Sequence, residues 1–222
     1  MLSTIASLVP VAGAAALSTV PVSITLLILL SPNPRRGAMP FLIGTVAGSL
    51  VMVALSAVGL YFLPARRSLS RDDVLSAAAL LLGVFLVGYA MFLFGNKRRT
   101  DSAALERIAA RFRSARRWQF TVLGLGLNLR PKALLLAVTA GALISVQNPS
   151  PVEGALLVAG YVAVAQSTVI GPIAFWLRSP ERAGPPLAAT YSWLQRHGRT
   201  VTAAAMLAVG AFLTGYGIYQ LL

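Results

Sequence analysis

Long stretches without a single charged residue dominate this chain. They run over about 3–34, 37–65, 74–96, 118–129, 154–177 and 200–222, and the fourth continues past two cations to about 147. A helix crossing ~30 Å of hydrocarbon needs about 20 mostly apolar residues. The pattern therefore predicts an all-α polytopic membrane protein with six transmembrane helices and short connections. Residues 1–222 form one membrane domain on this reading, with no room for a soluble catalytic domain.

Composition points the same way. Hydrophobic residues make up 57% of the chain and charged residues 11%, against roughly 45–50% and about 25% in soluble domains. That excludes a water-soluble globular domain, and it excludes disorder, which needs low hydrophobicity. There is no cysteine and one histidine, His197. Disulfides, thiol catalysis and thiolate metal sites are impossible, and neither a metal site nor any other cofactor is expected. The first apolar stretch reads as a retained helix: Met1-Leu2-Ser3-Thr4 lacks a positive n-region, and the run is far longer than the h-region of a cleaved signal.

Net charge is +13. In a soluble protein this would suggest nucleic acid; here it reads as loop charge. Fourteen of the 19 Lys and Arg fall in the connections after helices one, three and five, and three (Arg66, Arg67, Arg71) fall on the opposite side. The positive-inside rule makes the richer side cytoplasmic, so both termini are expected outside. Residues 101–117 carry Leu105, Ile108, Ala109 and Phe112 on one helical face. They read as an amphipathic helix, lying on anionic lipid or serving as a solvated connection. Residues 185–195 place Tyr191, Trp193 and Leu194 at a bilayer interface. Asp72 and Asp73 read as a helix-start cap, and Glu153 as an acid at a helix N-terminus.

An internal repeat organises the six helices. Gly83-Val-Phe-Leu-Val-Gly-Tyr89 and Gly210-Ala-Phe-Leu-Thr-Gly-Tyr216 agree at five of seven positions, 127 residues apart. Pro21 in helix one and Pro131 in helix four, each followed by a short aliphatic run, are 110 apart. Three helices per half is an odd number, so a second copy inserts upside down. The expectation is two inverted three-helix repeats, one over about 1–96 and one over about 118–222, joined by the basic connection 97–117. Gly44-x3-Gly48 adds a small-residue pattern for close helix packing.

Chemistry concentrates where these helices break. Pro21 removes a backbone donor in mid-span, and Ser18, Thr19, Ser23 and Thr25 stand close enough to supply hydroxyls. Asn128-Leu129-Arg130-Pro131-Lys132 sets an amide and two cations around a proline within an apolar run. If helix four starts near Trp118, Arg130 lies about 18 Å in, near the bilayer midplane. A cation there costs at least ~2.5–3.5 kcal/mol and should line a cavity or bind an anion. In a second reading, 118–129 is an interfacial or re-entrant piece, the span starts at Pro131, and both cations snorkel to the cytoplasm. Helix five contributes Gln166, Ser167 and Thr168, then Gly171-Pro172, another polar and breakable segment; Gln166 serves either substrate or interhelical contact. The candidate substrate-binding residues are Pro21, Ser23, Asn128, Arg130, Pro131, Lys132, Gln166, Thr168 and Pro172. No residue is proposed as catalytic.

The proline of helix one, the N-x-R-P-K segment and the proline of helix five resemble the lysine-exporter superfamily of small six-helix transporters. Gly44-Thr-Val-Ala-Gly48, Leu123 through Lys132, Ser179-Pro-Glu-Arg182, Trp193-Leu194 and Gly210-x4-Gly215 are more similar to one branch of it. That branch is the glycolipid-addressing (GAP, or Sap-like) proteins of actinobacteria, and the resemblance covers nearly the whole chain. Helix one lacks the Pro-Gly-Pro typical of amino-acid exporters and has Pro21-Val22-Ser23 instead. The resemblance implies a role in moving glycolipids or lipid-linked glycans from the inner membrane toward the cell surface. Its partners would be membrane lipids, the glycolipid substrate, and either a second copy or a larger lipid-export complex, with no nucleic acid. Two other functions fit the sequence: export of a small polar metabolite such as an amino acid, and service as a non-transporting accessory subunit. No ATP-binding loop is visible, so energy would come from a gradient, from downhill lipid flux or from a partner.

Overall fold

The computed structural model describes residues 2–62, 80, 83–85, 87, 88, 90, 91, 115–147 and 149–221. All regular structure among them is helical. In chain order the helices are α1 (Leu2–Ala16), α2 (Thr19–Leu29), α3 (Pro34–Phe62), α4 (Arg117–Leu127), α5 (Pro131–Val146), α6 (Pro151–Ala165), α7 (Ser167–Arg178) and α8 (Pro180–Leu221). Part of the third apolar stretch, Asp72, Asp73 and residues 101–114 lie outside the described set.

Three of the long apolar stretches are broken. The α1–α2 pair bends by 46°, α4–α5 by 66° and α6–α7 by 67°. Only α3 is unbroken, long and apolar enough to cross a bilayer alone; with each bent pair taken as one span, up to four crossings pass the same test among the described residues.

Proline chemistry explains where the breaks fall. A proline ring collides with the carbonyl four residues upstream and cannot donate to it. Four before Pro21 is Leu17, the first residue past α1; four before Pro131 is Leu127, the last of α4. Pro172 acts on Thr168, at the start of α7, with the break at Gln166. The break lies about one turn upstream of Pro21, directly before Pro131 and a turn and a half upstream of Pro172. This corrects the expectation of a break at Pro21 itself, which sits in the first turn of α2; in the fifth stretch the break falls at Gln166, within the expected polar segment, and Pro172 lies inside α7. Pro131 opens α5 as its first residue, where a missing N–H costs nothing.

The α4–α5 pair lies along α3 in parallel. A Cβ on Gly44 would run into the Thr121 carbonyl, and one on Gly124 would lie 2.6 Å from the Phe41 oxygen. Further along, a Cβ on Gly141 would lie 2.5 Å from Ser56. Backbone meets backbone at these points, and only glycine allows it. The small-residue pattern at Gly44 and Gly48 is thus the face that admits α4. The opposite face of α3 exposes Met39, Ile43, Leu50, Val51, Leu55 and Val58, while Thr45 and Ser49 are buried. Apolar outside with hydroxyls inside is the pattern of a helix solvated by lipid. The apolar helices mark this as a membrane protein.

The α1–α2 pair packs in the same way, α1 on α6 and α2 on α7. Helix α8 returns along α2, with Gly198 and Thr202 beside Thr19. Its first twenty residues were expected to be a connection; they are instead helical and continuous with the last apolar stretch. Tyr191 and Leu194 pack partly buried on the core, while Trp193 is exposed and stacks on His197 at 5.5 Å between ring centroids.

Two apolar cores result among the described residues, one at each end of the broken spans. The first joins α1, α5 and α6 with Val53 of α3. The second joins α2, α4, α7 and the start of α8 with Ala38 and Phe41 of α3. The breaks lie between them. Elsewhere, Gly83 and Gly210 cross closely: a Cβ on Gly83 would meet Thr214 and the Gly210 oxygen, and one on Gly210 would meet Val87 and the Gly83 oxygen at 2.9 Å.

Candidate functional site at the helix breaks

Each break leaves backbone groups without helical partners, and polar side chains gather to meet them. At the end of α1, the Ala16 carbonyl accepts a hydrogen bond from Thr168 Oγ1 at 2.9 Å. This ties the break of α1–α2 to that of α6–α7. Across from it, Thr202 Oγ1 and Thr19 Oγ1 are 3.0 Å apart, so α8 joins the same level. At Gln166 the main-chain carbonyl accepts from the N–H groups of Val169 and Ile170. The residue is half-buried, and it closes α6 and opens α7 with its backbone.

The third break is locked to α3. Asn128 is buried, and its Nδ2 donates to the Thr45 carbonyl at 3.2 Å and to the Gly124 carbonyl at 3.1 Å. Both amide donors are used within the protein, so Asn128 positions the break and keeps only its oxygen for other contacts. A Cβ on Gly48 would lie 2.7 Å from this Nδ2. Gly48 is the midpoint of the 29-residue α3, about 20 Å from either end at 1.5 Å per residue.

Two cations follow. Arg130 is half-buried and caps α5 with extended backbone. Lys132 is the second residue of α5. Its Nζ is fully buried and has no hydrogen-bond partner among the described residues. An ammonium in that state is expensive: it has lost water and gained no anion. Beside it, the first N–H groups of α5 present the positive end of a helix.

The remaining candidates are more scattered. The Pro21 carbonyl accepts from Thr25 Oγ1 at 2.8 Å and is engaged. Ser23 is half-buried, two residues further into α2, with no side-chain hydrogen bond among the described residues. Pro172 sits a turn and a half past its break and shapes the helix. Thr19, named among the hydroxyls near Pro21, belongs to this level; Thr45, Thr202 and the Ala16 carbonyl belong to it too and escaped the sequence reading. For Thr45 the signal was present, a hydroxyl residue inside the Gly44-x3-Gly48 face. For Ala16 there was none, because a carbonyl freed by a proline downstream has no side-chain signature. Glu153 is the N-terminal acid expected: its Oε2 accepts from Ser150 N at 3.0 Å, and Ser150 Oγ accepts from Glu153 N at 3.4 Å, closing a capping box on α6.

The chain matches, over residues 8–219, the family described as Sap, sulfolipid-1-addressing protein. It belongs to this family. Neither the comparison with curated proteins nor that with solved structures gives a significant match. The family assignment agrees with the Sap-like resemblance of the sequence. The link to the lysine exporters rests on that resemblance alone.

Proposed function

We propose that this Sap-family protein is a transporter that moves a lipid with an anionic headgroup toward the cell surface. The observation that carries the reading is the buried ammonium of Lys132, unpartnered among the described residues, at the level of three helix breaks. Discontinuous helices near the membrane midplane are where many secondary transporters hold their substrates. A family described by a sulfolipid supplies a fitting substrate class, since a sulfate ester is anionic at every physiological pH. Headgroup oxygens would pair with Lys132 and the N–H groups opening α5, with Arg130, Gln166 and Thr168 around them. The lipid tails would stay in the bilayer between helices. We assign no chemical step and no cofactor.

The same reading makes the chain six spans in two inverted halves, both termini outside. The Gly83–Gly210 crossing supports it. Gly83 meets Thr214 while Gly210 meets Val87, and both Gly210 and Thr214 lie 127 residues after their counterparts. A contact that maps onto itself in this way is what residues near a pseudo-two-fold axis make. The 110-residue offset likewise relates Ser18 to Asn128, each at a break. Alternating exposure would then be a rocking of one half against the other, driven by a gradient, by lipid flux or by a partner complex.

The test is a surface-versus-inner-membrane lipid profile of a deletion strain, complemented with wild type and with Lys132→Ala. One anionic glycolipid class should leave the surface, accumulate inside, and return with wild type alone. Full restoration by Lys132→Ala would remove the translocase reading and favour an accessory role. An unchanged surface with a swollen soluble pool would favour a small-metabolite exporter.

A further inference from the structure

A second feature lies away from the breaks, at the end of the bundle where α3 and α4 begin. The turn between α2 and α3, the start of α4 and the end of α7 border an open cavity of about 460 Å³. Arg35, Arg36 and Arg117 line it, together with Asn33 and Trp176. Pro32 and Pro34 stiffen its rim. The lining holds no Asp or Glu. The three arginine side chains are exposed and have no ion pair among the described residues.

We propose that this cavity binds a tetrahedral oxyanion, a sulfate or phosphate ester, carried on a lipid headgroup. Three arginines from two separate segments line one space, and a guanidinium is a planar fork matched to such an oxyanion. Two helices start there, α3 at Pro34 and α4 at Arg117, so their positive ends reinforce the field. Asn33 adds amide donors. Trp176 is half-buried and closes one side with an apolar ring carrying a single N–H, the side chain favoured where hydrocarbon meets water. The lining thus combines cationic side chains for the anion with an apolar ring for what the anion is attached to. Its position at a helix end, next to the lipid-facing stripe of α3, admits a headgroup from the adjacent leaflet. The lipid as source rests on the transport reading above; the anion site does not.

The experiment places the full chain in phosphatidylcholine nanodiscs. Trp118 and Trp193, both exposed, are changed to Phe so that fluorescence reports Trp176. Three ligands are titrated: a sulfated galactosylceramide in the disc, phosphatidic acid in the disc, and inorganic sulfate or phosphate in solution. Both lipids should change the Trp176 signal saturably. Arg35→Gln with Arg36→Gln and Arg117→Gln should weaken that binding at least about tenfold. Arg196→Gln, an exposed arginine outside the cavity lining, should leave it unchanged, which separates a site from general surface charge. An unaltered melting temperature of the triple variant confirms that it folds. If free sulfate or phosphate binds as well as the lipids, a soluble anion replaces the lipid and that part of the assignment falls. If the triple variant binds the lipids as tightly as the parent, the site itself is overturned.

Discussion

Lys132 concentrates the conflict between stability and function in one side chain. Its buried ammonium lacks a hydrogen-bond partner among the described residues, and a charge at that depth is unfavourable unless something neutralises it. Lys132→Met keeps the chain length and removes the charge. It should raise the stability of the purified protein by about 1–3 kcal/mol, read as a higher melting temperature in detergent or nanodiscs. A destabilised variant would mean that the ammonium has a structural partner. Asn128, four residues earlier, behaves in the opposite way. With both donors committed to Thr45 and Gly124, it holds the break against α3 and does not wait for a substrate.

At the scale of elements, the prolines set the bends and the glycines set the distances. Gly44→Ala drives a methyl into the Thr121 carbonyl and should cost about 1–3 kcal/mol. Gly126→Ala, with open space around it, should be silent in the same melt. Pro131→Ala removes the collision with Leu127 and lets α4 and α5 approach one straight helix. The distance between spin labels at Trp118 and Ser145 should then lengthen by about 5 Å; an unchanged distance would assign the bend to packing alone. Much of this was legible in the sequence. The apolar stretches marked the helices, the Asn128–Lys132 segment marked one break, and the Gly44 and Gly48 spacing marked the α4 contact. What could not be read was register. A proline acts one turn upstream, so the break near Pro21 lies earlier in the chain than the proline, whereas that of the fifth stretch falls at Gln166, inside the segment the sequence marks as breakable. The segment from Pro180 to Arg199 looked like a connection because its prolines and charges suit a loop; only its packing against α2 and α7 makes it helix.

Among the described residues, two cores stack end to end, with polar groups and freed backbone between them. That arrangement suits a protein whose two ends open in turn. The absence of any native cysteine makes single-cysteine labelling free of background. Ser3→Cys should react with an impermeant maleimide applied to intact cells, whereas Arg35→Cys should react only after lysis. The reverse pattern would invert the orientation. The most direct test of the central claim uses the pure protein in phosphatidylcholine vesicles with a fluorescent sulfated glycolipid. A membrane-impermeant quencher reports how fast the lipid changes leaflet. Wild-type protein should accelerate that exchange well above protein-free vesicles, and Lys132→Met should abolish the acceleration while remaining folded. Equal rates with and without wild-type protein, or full activity in Lys132→Met, would contradict the account.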